Sequence, residues 1–303
     1  MIASMRPLSR AHGLPATPAG RGTKETSIMT IPSMSDADFR DRYGPWALIS
    51  GASEGTGAEF ALQAAAKGLN VILVARRIDK LNELAERIRA EQKVEVHTVS
   101  LDLTAADAAA QLQQAAAGRD LGLVVFNAGG DSVGGPFLDK PYASWRTLTQ
   151  RNIDLLTEAC HAFGTAFAKR GRGGLILVGS EAALGGCGRL AIYTATKAYA
   201  MNFGESLWKE LKPHGVDVLN LLIGATDTPK LRTVFAKNNL SPDLVPLTPS
   251  QEVARLGLSG LGRGPTLVLN ALEDLDSPLV SSTIRRERVE VQSKFLDNFY
   301  GPA

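Results

Sequence analysis

Cysteine is scarce: Cys160 and Cys187 are the two in 303 residues. Neither belongs to a CxxC pair, which excludes a disulfide framework and makes a reducing, cytoplasmic setting the expectation. The four histidines, His12, His97, His161 and His214, are scattered without ligand spacing such as HExxH, so no metal site is expected. An excess of one charge is missing as well. Thirty-three basic residues against 31 acidic ones leave a net charge of +2, which gives no global reason to bind nucleic acid or an anionic membrane. Arg285, Arg286 and Arg288 cluster locally, but Glu287 and Glu290 interrupt and follow them, so the expectation is a solvated helix face. No apolar run reaches the ~20 residues of a membrane span, and a soluble protein without integral membrane association is expected.

What remains is ordinary globular material, 44% apolar and 21% charged, enough for a sizeable core. Residues 1 to about 37 stand apart. They are rich in Pro, Gly, Ser and Thr, lack apolar periodicity, and carry Glu25 as the one acid before Asp36, which reads as a disordered leader. Its acid-poor character permits a targeting reading, but it has neither an amphipathic stripe nor a secretory core, and Met29 or Met34 could be the start. Residues 38–303 are read as one domain.

From Trp46 onward, short apolar runs alternate with helix-length segments. The runs are Trp46 to Ser50, Asn70 to Ala75, Val94 to Ser100, Leu121 to Phe126, Gly174 to Gly179, Val216 to Leu222 and Thr266 to Asn270. Between the second and third, Leu81, Leu84, Ala85 and Ile88 recur at the spacing of one helix face. Lys67-Gly68 supplies a cation and a left-handed cap where the preceding helix should stop. Strands joined by helices predict an α/β fold, a single Rossmann-like doubly wound parallel sheet of about seven strands flanked by helices. Ligands then gather at the carboxyl ends of the strands.

After the first run comes Ser50-Gly51-Ala52-Ser53-Glu54-Gly55-Thr56-Gly57, a GxxxGxG spacing that opens a helix. Glycines allow a tight turn and close backbone approach, and a helix N-terminus offers free N–H groups to a phosphate. Packing alone also produces such turns. Further on, Tyr193-Thr194-Ala195-Thr196-Lys197 sets a phenol and an ammonium about one turn apart on one helix face. A free phenol titrates near ~10, and a neighbouring cation lowers that value toward neutrality. Ser180 lies 13 residues before Tyr193 at the end of the fifth run, and Asn152 sits in the long helical segment after the fourth.

Taken together, these residues resemble the compact short-chain dehydrogenase/reductase family, with TGxxxGxG and YxxxK, over roughly residues 43 to 230. Ser50 replaces the family's Thr. The resemblance implies that Tyr193, Lys197, Ser180 and Asn152 form a catalytic set. Tyr193 exchanges a proton with a carbonyl or alcohol oxygen that Ser180 orients, Lys197 lowers the tyrosine pKa and holds the nicotinamide ribose, and Asn152 holds a relay water. It assigns Gly51, Ser53, Gly55, Thr56 and Gly57 to the cofactor loop, Asp102 and Leu103 to the adenine region, and Asn127, Ala128 and Gly129 to the cleft. Asp102 could equally cap a helix starting near Thr104. Gly224, Thr226 and Thr228 resemble the family's segment beside the nicotinamide, with Ile223 in place of its usual proline.

Val74-Ala75-Arg76-Arg77 ends the second run. Ala75 stands where an acid would bind a free ribose, and Arg76 can bind a 2′-phosphate, which favours NADP(H). Glu54 opposes a nearby phosphate, so NAD(H) is not excluded. Leu231, Val234, Phe235, Leu240, Val245 and Leu247 suggest a substrate lid at about 225–250, and Leu184, Cys187 and Ile192 could line the same pocket. The implied substrate is a hydrophobic ketone, aldehyde or secondary alcohol. Glu181 disfavours anionic substrates if it points inward. Arg42-Tyr43-Gly44-Pro45-Trp46 is similar to a stretch in some ketoacyl and hydroxysteroid reductases of the family. Ile284, Val291, Phe295 and Phe299 make an apolar face on a C-terminal helix, and a homodimer using helical faces is expected. The competing class is a noncatalytic NADP-sensing protein on the same fold; an isomerase or dehydratase fits the glycine spacing less well.

Overall fold

The computed structural model describes residues 34–130, 134–269, 283–287 and 289–291. In chain order the first half runs α1 (Asp36–Tyr43), β1 (Trp46–Ser50), α2 (Gly55–Ala66), β2 (Asn70–Ala75), α3 (Ile78–Glu91), β3 (Val96–Ser100), α4 (Ala108–Ala116) and β4 (Leu121–Phe126). It continues with α5 (Tyr142–Thr149), α6 (Leu155–Arg170), β5 (Gly173–Ser180), α7 (Ala191–Leu211), β6 (Val216–Ile223), β7 (Thr226–Asp227), α8 (Pro229–Lys237), β8 (Thr248–Pro249), α9 (Ser250–Gly260) and β9 (Thr266–Val268).

Seven strands form one parallel sheet in the order β3-β2-β1-β4-β5-β6-β9. The chain winds outward from β1 to β3 and then back across β1 to β4. That reversal opens a crevice at the carboxyl ends of β1 and β4, the place where such sheets bind ligands. The central strands β1 and β4 are buried throughout because helices cover both faces, which is why they read as unbroken apolar runs. Strand β3, at the edge, is half-buried and more polar, and it begins at Val96 rather than Val94.

On one face α4, α6 and α7 pack over Leu48, Ile72, Val124, Leu175 and Val218 in a single apolar cluster. On the other, α2 lies against α3 and α9. In α3 the predicted stripe of Leu81, Leu84, Ala85 and Ile88 is the buried one. Below the sheet, α1 is fastened by Tyr43, which is fully buried and donates from its hydroxyl to Asp217 Oδ2 at 2.8 Å, while Arg42 pairs with the same carboxylate at 2.6 Å. Burial and the Asp217 charge push the Tyr43 phenol up.

Four sequence expectations need correction or placement. Asp36 and Ala37, grouped by composition with the leader, form the first turn of α1, capped by Ser35, whose hydroxyl accepts from Asp38 N at 3.2 Å. The rest of the leader up to residue 33, Asn270, Arg288, Phe295 and Phe299 lie outside the described residues. Arg285 is not on a solvated face: it is 4% exposed and its Nε donates to Glu205 Oε1 at 2.6 Å. Thr266 donates to the same oxygen at 2.7 Å, so the segment that carries Arg285 docks on α7 through a buried, hydrogen-bonded ion pair. Finally, β7 and β8 pair in parallel and join the two ends of the segment predicted as a lid.

Candidate active site

Gly51 and Gly55 adopt positive φ of 72° and 57°, so the loop after β1 needs residues without a Cβ penalty. At Gly57 the demand is distance. A Cβ there would lie 2.1 Å from Gly51 O and 2.6 Å from Asn127 Nδ2. Asn127 Nδ2 in turn donates to Gly51 O at 3.2 Å, and Ala128 N donates to Ser50 Oγ at 3.5 Å. The ends of β1 and β4 are thus stitched together by side chains that sequence placed 76 and 78 residues apart. Ser50 keeps the hydroxyl that this stitch uses. Thr56 is buried in the first turn of α2, and the N-cap residue Glu54 makes no side-chain cap there. A glycine turn opening a helix in this way can hold a phosphate, and the residues fit the dinucleotide that the motif implies.

At the end of β2 the two arginines divide their work. Arg77 Nη2 donates to Ser53 Oγ at 3.2 Å and pairs with Glu54 at 2.9 Å. Glu54 therefore answers Arg77 instead of standing as an uncompensated charge. Arg76 is exposed and its field helps hold the Asp102 carboxylate low. The larger causes of that depression are hydrogen bonds from the Thr104 N–H and hydroxyl, at 3.0 and 2.8 Å. Asp102 thus organises its own turn, and the helix begins later, at Ala108. Leu103 is buried and lines a small cavity with Ser50, Ala128, Asn152 and Lys197. Adjacent in sequence, Arg76 and Arg77 differ through the fold, which turns Arg77 toward the loop.

Helix α7 carries Tyr193 and Lys197. Lys197 is 6% exposed, its Nζ donates to Val178 O at 3.1 Å, and it lies 5.8 Å from the centroid of the Tyr193 ring. Burial first, and then the Arg151 charge, lower its pKa to about 8. A Cβ on Gly129 would come within 2.9 Å of Lys197 Nζ, so the turn after β4 passes directly over the ammonium. Between α5 and α6 the helix widens into a π turn at Gln150–Asp154, a form often found at functional sites. Asn152 on that turn is buried and its Nδ2 donates to Thr196 Oγ1 at 3.0 Å, beside Lys197. Ser180 ends β5, where its Oγ accepts from Ala182 N at 3.2 Å and caps the short turn Glu181–Leu184 that packs on α7.

The loop after β6 closes the crevice. Thr226 Oγ1 donates to Gly224 O at 3.2 Å, and Thr228 caps α8, accepting from Leu231 N at 3.1 Å. Thr228 reaches back to the glycine loop, since a Cβ on Gly55 would be 3.0 Å from its Cγ2. Of the apolar residues expected in a lid, Phe235 is buried while Val234, Leu240 and Val245 are exposed. Leu184 packs with Ala183, Met201 and Leu222, Ile192 is half-buried, and Cys187 is exposed.

The family model for the short chain dehydrogenase matches residues 45–239. The chain belongs to that family. It is therefore an oxidoreductase of CH–OH and C=O groups that uses a nicotinamide cofactor. This short chain dehydrogenase is 34% identical over 192 residues to a 7beta-hydroxysteroid dehydrogenase of Clostridium sardiniense, covering 63% of this chain and 73% of the relative. It is 30% identical over 230 residues to a very-long-chain 3-oxoacyl-CoA reductase of Coprinopsis cinerea, covering 70% and 68%. In structure it is similar to a short-chain dehydrogenase from Sphingobium yanoikuyae in complex with NADPH, with a TM-score of 0.70 and 27% identity over 82% of this chain and 96% of the other. Among the described residues no helix is long and apolar enough to cross a membrane.

Proposed function

We propose that this short chain dehydrogenase is an NADP(H)-dependent carbonyl reductase and alcohol dehydrogenase for a hydrophobic ketone, aldehyde or secondary alcohol. The observation that carries the reading is the buried Lys197 ammonium held beside Tyr193 and behind the Gly129 turn. Gly51, Ser53, Gly55, Thr56 and Gly57 would hold the dinucleotide phosphates at the start of α2. Asp102 and Leu103 would meet the adenine, and Asn127 to Gly129 with Gly224, Thr226 and Thr228 would bound the nicotinamide end. The cofactor, once bound, supplies or accepts the hydride. Tyr193 gives the substrate oxygen a proton from its phenol in reduction and takes it back in oxidation. Ser180 orients that oxygen. Lys197 favours the phenolate by its charge and holds the cofactor ribose, and Asn152 keeps the relay water and the π turn in place. General acid-base transfer of this kind is worth about 10² to 10⁴ in rate.

NADP(H) is favoured because β2 ends on Ala75, where an acid would bind a free ribose, and Arg76 follows it, exposed. Arg77 turns toward Ser53 and pairs with Glu54, so a 2′-phosphate would bind Arg76 and compete with Glu54 for Arg77. The NADPH complex of the Sphingobium relative agrees with this choice. An apolar substrate is supported by the lid residues and by the names of the two relatives, which act on a hydroxysteroid and on a very-long-chain 3-oxoacyl-CoA. A homodimer in the cytoplasm completes the reading; both cysteines are free, and Cys160 is buried.

Cofactor oxidation is the test, run across a panel of apolar and polar carbonyls with NADPH and NADH separately. Turnover of an apolar ketone with NADPH at least about tenfold better than NADH, and loss of that ratio in Arg77→Ala, is the expected result. Equal use of both cofactors, or turnover confined to polar carbonyls, would overturn the corresponding half of the reading.

A further inference from the structure

Arg151 and Asn152 follow each other on the π turn at Gln150–Asp154, and both side chains line the same small cavity as Lys197. Arg151 Nε donates to Asn152 Oδ1 at 3.2 Å, and its Nη2 donates to Gly130 O at 2.7 Å. One guanidinium therefore bridges the π turn and the turn that crosses over Lys197. The other end of the Asn152 amide is committed to Thr196 Oγ1 at 3.0 Å on α7. We propose that Arg151 is a positioning residue of this site: it clamps Asn152 and the Gly129–Gly130 turn against α7 and presents a second positive charge to Lys197.

The proposal rests on the reading of Tyr193 and Lys197 as the reacting pair. Lys197 faces Tyr193 from its own helix, Asn152 and Arg151 from the π turn, the Gly129 backbone from the turn after β4, and the Val178 carbonyl of β5. Of these Arg151 is the permanent charge, since a guanidinium stays protonated at any working pH. Its field adds to burial in lowering the Lys197 pKa. The clamp fixes the Asn152 amide from both ends, since its oxygen accepts from Arg151 and its nitrogen donates to Thr196.

Arg151→Gln removes the charge, and Arg151→Lys keeps it while losing the two-pronged geometry. Lys197 is titrated directly by ¹⁵N NMR in the cofactor-free protein, its signal assigned by its absence in Lys197→Met. Arg151→Gln should raise the Lys197 midpoint by about half a pH unit or more, and Arg151→Lys should leave it near that of the wild type. In turnover with NADPH, the pH limb of kcat/KM should move with that midpoint, and Arg151→Lys should lower kcat roughly tenfold with little change in KM. Near-UV circular dichroism checks that each variant is folded. A folded Arg151→Gln with an unmoved Lys197 midpoint overturns the charge role. If that variant does not fold, Arg151→Lys decides, and wild-type kcat in it overturns the clamp. The titration uses no substrate, so a failed carbonyl panel would sink the substrate reading and leave this readout standing.

Discussion

A buried lysine that faces another cation costs the fold stability, and Lys197 is such a residue. Its folded pKa of about 8 lies below its ordinary 10.5, so the unfolded chain holds the proton more tightly. Below pH 8 both states are protonated and the penalty is complete; from 8 to 10.5 the unfolded state carries more protons, so stability rises with pH. Lys197→Met should therefore stabilise the cofactor-free protein at pH 7, measured by denaturant unfolding, with the gap shrinking by pH 10. The same variant should lose turnover. Tyr193→Phe, which keeps the ring and removes the proton, should retain NADPH binding and lose about 10² to 10⁴ in kcat. Wild-type turnover in that variant would contradict the assigned role of the phenol.

Elements differ in how openly the sequence announces them. Strands β1, β2 and β4 are legible to the residue because they are buried apolar runs between glycine-bearing turns, and α3 because one stripe of it is buried. The glycine loop and the Tyr193–Lys197 pair stand out by spacing, while Ser180 and Asn152 are picked out by the family resemblance. The π turn is not legible, since its wider hydrogen-bond pattern has no residue signature of its own. Nor are β7 and β8, two residues each, which exist through pairing across the fold. The choice between Arg76 and Arg77, and the burial of Arg285 opposite Glu205, depend likewise on partners distant in sequence. At the glycine loop the constraint is spatial. Gly57→Ala would press its methyl against Gly51 O, where the nearest approach is 2.1 Å, and the backbone must yield. NADPH binding, followed by tryptophan fluorescence, should weaken roughly tenfold or more, while the sheet stays folded.

At the scale of the molecule, polar contacts fasten one end of the described chain to β6 and the other to α7. Tyr43 and Arg42 hold α1 to Asp217, and Arg285 holds the C-terminal segment to Glu205, with Glu290 adding pairs to Lys209 and Lys212 at 2.5 and 3.4 Å. Arg285→Ala would leave the Glu205 carboxylate buried with its charge unanswered, at a cost of about 3 to 5 kcal/mol. A thermal melt should register it, and Glu205→Gln added to Arg285→Ala should recover part of the loss. The short β7–β8 ladder bears on a different matter, the ease with which this enzyme can change. It pins the two ends of residues 228–247 side by side, so the stretch between them is a closed loop whose ends the fold fixes independently of its contents. Lengthening such a loop adds little entropy cost, about 0.6 kcal/mol per doubling. The residues beyond Thr228 are therefore expected to tolerate exchange and changes of length while Tyr193 and Lys197 stay where they are.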